Sequence, residues 1–88
     1  MDANEVRGTL NAVLYGVVFS PELTDDDAGR VAASLARDDR RDRYREAIAV
    51  ALRAGHLPPE TLEVSRPHPE AALLDLLSRV AARLDAGG

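Results

Sequence analysis

Apolar residues recur along this chain at intervals of three and four, the spacing that gathers them on one side of an α-helix. Val6, Leu10, Val13, Leu14 and Val17 form the first such stripe, and Ala28, Val31, Ala32 and Leu35 the second. Tyr44, Ile48, Ala51 and Leu52, with Ala47 beside them, form the third. Leu73, Leu76, Leu77, Val80 and Leu84 form the last and strongest, flanked by Leu74 and Ala81. No stretch of useful length alternates apolar and polar as a half-buried strand does, and no internal repeat is visible. The pattern predicts an all-α fold: a compact bundle of four principal helices, with a fifth short helical turn.

Start and stop signals frame these stripes. Asp2, with Glu5 three residues on, has the spacing of a helix start and opens a helix predicted from Ala3 to Val17. Gly8 and Gly16 weaken it, each by about 1 kcal/mol relative to Ala. Pro21 drives Ser20 out of helical geometry, so Phe19–Glu22 reads as a turn. Thr24, followed by Asp25, Asp26 and Asp27, is the clearest start in the chain: a hydroxyl for exposed backbone N–H groups and three carboxylates at the positive end of the helix dipole. This second helix is predicted to end near Arg37. Asp38 or Asp39 is expected to cap a third helix over Arg40–Ala54, with Gly55 in the left-handed position after it. The segment from His56 to Leu62 is a connection with one helical turn after Pro59, and Leu57, Leu62 and Val64 are expected to plug the open end of the bundle. Ser65–Pro69 is a second rigid connection, and Pro69 fits the first turn of the last helix. Residues 1–84 are read as one domain, and 85–88 as a flexible tail or linker.

Size and composition narrow the function classes. Eighty-eight residues make one small domain, and only Tyr15, Phe19 and Tyr44 are aromatic, so the core is built from Leu, Val and Ala. A chain of this length buries only roughly 60–65% of its unfolded surface, which favours a marginal monomer or one stabilised by self-association. The formal net charge of −4 argues against bulk nucleic-acid binding and against an anionic membrane surface. No stretch has the length of a membrane span, and the first residues carry neither the basic segment nor the apolar stretch of a signal peptide. A cytoplasmic protein is expected. All eleven basic residues are Arg, a codon bias that points to a GC-rich bacterial genome rather than to a chosen chemistry.

Candidate chemistry is sparse. Asp25, Asp26 and Asp27 carry oxygen ligands, but metal loops alternate their ligands and turn on a Gly; a helix start explains the run better. His56 and His68 lack an i, i+4 partner and lie among prolines. There is no Cys and no Gly-flanked Ser of the hydrolase type. No enzyme, metal or cofactor is expected. The densest charge run, Arg37–Glu46, holds five Arg against four acids. Local pairs along a helix would make it a solvated face. Yet Arg40, Arg41, Arg43 and Arg45 crowd a helix start, where they oppose the dipole, a placement that an acidic partner would explain. Asp25, Asp26 and Asp27, with Arg40, Arg41, Arg43 and Arg45, are therefore the candidate partner-binding residues. One copy's acidic cluster meeting the next copy's basic cluster would be a head-to-tail contact, which grows unless its rotation closes a ring.

The packed helices read from Tyr44 through Leu52 and from Leu73 through Leu84, in a small domain with complementary charge patches, resemble the death-like or effector-associated adaptor domains of bacterial conflict systems. That resemblance implies a helical bundle joining effectors and sensors by like-with-like contact. The expected function is a non-catalytic protein–protein interaction module working through oppositely charged helix ends. The alternative is an acidic immunity or antitoxin-type protein that neutralises a basic enzyme through Glu22, Asp25, Asp26 and Asp27. A helix-turn-helix reader with the third helix in a DNA groove is opposed by the overall acidity.

Overall fold

The computed structural model describes residues 2–66 and 68–86, and within them five helices and no strands. α1 spans Ala3–Tyr15, α2 Asp25–Ala36, α3 Arg41–Ala54, α4 Pro59–Val64 and α5 Glu70–Ala86. Four of them match the four apolar stripes, and α4 is the short turn after Pro59. α1 stops two residues before its predicted end, but tight turns carry the chain on: the N–H groups of Val17 and Ser20 donate to the carbonyls of Leu14 and Val17.

α5 is the central strut, packed against both α2 and α3, while α1 lies on α3 and α4. The stripes become one core. Leu10, Leu14, Val17, Ile48, Leu73, Leu76, Leu77 and Val80 are fully buried, and Val6, Val13, Ala28, Val31, Leu35, Tyr44 and Leu84 close around them. Leu52, Leu74 and Ala81 are half-buried against this core.

The caps decide where each helix begins and ends. Asp2 accepts from the Glu5 N–H at 2.9 Å. Thr24 and Asp27 form a reciprocal capping box at the start of α2. Gly55 takes the left-handed conformation, φ 73°, after α3. The start of α3 differs from expectation. The residue before it is Arg40, which makes no side-chain cap, and neither Asp38 nor Asp39 holds that position. Asp38 Oδ1 instead accepts from the Arg40 N–H at 2.8 Å, closing the turn that leads in.

At the end of the bundle near α4, Leu57 is buried and Leu62 half-buried, but Val64 is 48% exposed. Thr61 of α4 and Ser65, the residue that follows it one turn on, take the inward positions. Six residues give α4 room for one inward row, and that row falls to the hydroxyl residues. Pro69 precedes α5 rather than entering it, and Pro67 of the same connection lies outside the described residues. α5 runs on through Asp85 and Ala86, the first half of the expected tail; Gly87 and Gly88 lie outside the described residues. Among the described residues no helix is long and apolar enough to cross a membrane.

Candidate functional site

The acidic start of α2 is tightly tied to its own chain. Asp27 Oδ2 accepts from the Thr24 N–H at 3.0 Å and from the Thr24 hydroxyl at 3.2 Å. Its Oδ1 accepts from Arg30 Nη2 at 2.8 Å and from the Ser20 hydroxyl at 3.4 Å. The Thr24 backbone donor, more than the hydroxyls or the Arg30 charge, holds the Asp27 carboxyl below its ordinary value of 3.8. Asp25 faces Arg83 of α5 at 2.5 Å. Asp26 has no ion pair among the described residues.

The basic start of α3 is equally occupied. Arg40 Nε lies 3.3 Å from Asp38 Oδ1, and its guanidinium sits 5.7 Å from the centre of the Tyr44 ring. The Tyr44 hydroxyl donates to Asp38 Oδ2 at 3.3 Å. Backbone and side-chain donors of Arg40 keep the Asp38 carboxyl below its ordinary value and raise Arg40 in return. Arg43 reaches Glu5 of α1 at 3.3 Å, and Arg45 pairs with Asp85 of α5. Arg41 is half-buried and has no ion pair among the described residues. The crowding of Arg side chains at a helix start thus has an internal counterweight, in carboxylates from the preceding turn, α1 and α5.

Five of the seven sequence-predicted partner residues, then, are engaged within the chain, and Asp26 and Arg41 are not. The acidic and basic groups both reach the last turn of α5, through Arg83 and Asp85. Residues two apart on a helix point about 200° from each other, so the two groups lie on opposite sides of that turn.

The histidines stand apart. His56 Nδ1 is 3.8 Å from Glu70 Oε1, and Glu70 Oε2 accepts from the Leu57 N–H at 3.1 Å, clamping the chain after α3 to the start of α5. Among the described residues no group of three or more His, Asp or Glu side chains is gathered to hold a metal ion.

A different surface emerges between α1 and α2. These helices are not joined by a packed seam among the described residues; a groove of about 360 Å³ runs between them. Ala12, Val13 and Gly16 line one side, and Arg30, Val31, Ser34 and Leu35 the other. Tyr15, next in the chain to the lining residue Gly16, is 73% exposed, and Phe19, in the turn after α1, is 88% exposed, two of the three aromatic residues of the chain. Arg30, the one charged residue of the lining, is exposed but held by its own chain, donating to Asp27 and, at 3.4 Å, to the Gly16 carbonyl. Charge patterning alone does not find this face. The available signal was that Tyr15 follows Leu14 directly and so lies about 100° from it, on the side away from the buried stripe, while Phe19 falls in the turn beyond it. No protein-family model, curated protein or solved structure matches this chain.

Proposed function

We propose that this chain is a non-catalytic helical interaction module that binds protein through the α1–α2 face, with Tyr15 and Phe19 as its anchors. The observation that carries the reading is the exposure of these two rings, 73% and 88%, in a chain that buries its remaining aromatic. A small core short of aromatics gains from burying such rings, and exposed aromatic rings close in the chain to a groove with an apolar floor are fitting anchors of a protein contact. Val13, Val31 and Leu35 form that floor. The charged starts of α2 and α3 fit the same reading as steering groups, since exposed charge governs orientation and on-rate more than affinity.

The test is a photo-crosslinking residue placed at position 19, with position 63, an exposed site on α4, as control, in the cells that naturally make the protein. The expected result is a discrete protein adduct from position 19 and none from 63. Equal adducts from both, or none from either, would sink the reading.

A further inference from the structure

At the starts of α2 and α3, Asp25, Asp27, Asp38, Arg40, Arg43 and Arg45 have partners within the chain; among the charges without an ion pair among the described residues, two of opposite sign share the outer face of α2. Residues 26, 30, 33 and 37 fall within a narrow arc of the helix, opposite the buried Ala28, Val31, Ala32 and Leu35. Asp26 opens this face and Arg37, still in right-handed helical conformation, closes it. Neither side chain has an ion pair among the described residues. Between them lie Arg30, neutralised by Asp27 at 2.8 Å, and Ala33. The face is negative at one end and positive at the other, and at its centre Ala33 lies beside the Arg30–Asp27 pair, which carries no net charge.

Resting on the interaction-module reading, we propose that the partner covering this face is a second copy of the chain, with α2 antiparallel to α2 about a two-fold axis. Asp26 of each copy then meets Arg37 of the other. The axis passes between positions 31 and 32, midway between the two charges, which stand about 16 Å apart along the helix. An isologous contact requires each patch to be complementary to itself, and a helix face with opposite unpaired charges at its two ends satisfies that. Arg30 comes opposite Ala33 rather than opposite another guanidinium. Each charge also suits its own helix, Asp26 at the positive end of the dipole and Arg37 at the negative end, so the face is stable in the free chain. This closed pair differs from head-to-tail growth between the α2 and α3 starts, which would engage Arg41.

Light scattering coupled to size exclusion, over a wide concentration range, tests the proposal. The wild type is expected to form a dimer and nothing larger. Asp26→Arg alone and Arg37→Asp alone set like charges face to face, twice per dimer, and each is expected to weaken dimerisation ~10-fold or more. The double variant Asp26→Arg/Arg37→Asp restores the opposite pairs and is expected to recover the dimer. Circular dichroism of every variant should match the wild type, which separates lost pairing from lost folding. A wild type that stays monomeric throughout overturns the proposal, as does a dimer indifferent to both single reversals or a folded double variant that fails to recover. Growth beyond a dimer, removed by Arg41→Glu, would likewise replace it with head-to-tail assembly. A monomer that still gives a position-19 adduct with another protein would overturn the second copy alone. Failure at position 19 would overturn the interaction module itself.

Discussion

Asp27 gathers more donors than any other carboxylate described here: the backbone and hydroxyl of Thr24, the hydroxyl of Ser20 and the guanidinium of Arg30. All of them favour its charged form, so its carboxyl binds protons less readily folded than unfolded, as does that of Asp38 beside Arg40. The sign follows: the unfolded chain holds more protons as the medium becomes acidic, so stability rises with pH through this region. The stabilisation is complete above the ordinary carboxylate value of 3.8 and is lost as pH falls through the lower folded values. Urea midpoints measured against pH should therefore drop in acid, and Asp27→Asn should be less stable near neutrality with a shallower acid decline. Thr24→Ala removes the hydroxyl cap but keeps the backbone donor. It should lower stability by about 1 kcal/mol while leaving most of the acid slope. Glycines divide in the same local way. At Gly55, φ 73°, a Cβ is strained, so Gly55→Ala should cost about 1–2 kcal/mol. At Gly8, inside α1, a Cβ meets nothing within 4 Å, so Gly8→Ala should add up to about 1 kcal/mol in the same urea series.

Among the elements, the four long helices were legible because their signals are local. Every residue of the α1, α2 and α5 main stripes is buried, and Thr24 and Gly55 sit at the helix ends their chemistry suits. What the sequence hid is non-local. The pairs Arg43–Glu5, Arg45–Asp85 and Arg83–Asp25 span 38, 40 and 58 residues, and nothing in a charge run reveals which distant helix will answer it. The exposure of Tyr15 and Phe19 was only half legible: Tyr15 falls outside the apolar stripe and Phe19 in the turn beyond it, but neither position tells whether a distant helix will cover the ring. The weakest element is α4, where periodicity gives out after one turn. There Thr61 and Ser65 are buried, and their hydroxyls make no hydrogen bond among the described residues. A buried hydroxyl left unpaired costs about 1–3 kcal/mol, and Val has nearly the shape of Thr. Thr61→Val should therefore raise the unfolding midpoint, corresponding to about 1 kcal/mol. A fall in calorimetry would mean that the hydroxyl holds a partner worth keeping.

For the whole molecule, apolar packing and surface charge do separate work, and salt separates them experimentally. Among the described residues four ion pairs join different helices: Arg7–Glu60, Arg43–Glu5, Arg45–Asp85 and Arg83–Asp25. Their side chains are substantially exposed, and pairs of that kind contribute about 0–1 kcal/mol each. The core from Leu10 to Leu84 is apolar and indifferent to simple screening. A dimer joined by Asp26 and Arg37 has its pairing charges at the rim of a small contact, where screening acts fully. Because association stabilises only the folded chain, the unfolding midpoint should rise with protein concentration at low ionic strength. In roughly 1 M sodium chloride, where charges are screened beyond about 3 Å, that dependence should vanish, while the midpoint of the dilute protein barely moves. Thermal melts across a dilution series at two salt concentrations measure both quantities at once. A large salt-induced fall in the dilute sample would assign the stability to the inter-helix ion pairs instead of the core. A concentration dependence that survives salt would assign the association to Tyr15 and Phe19 rather than to the charges of α2.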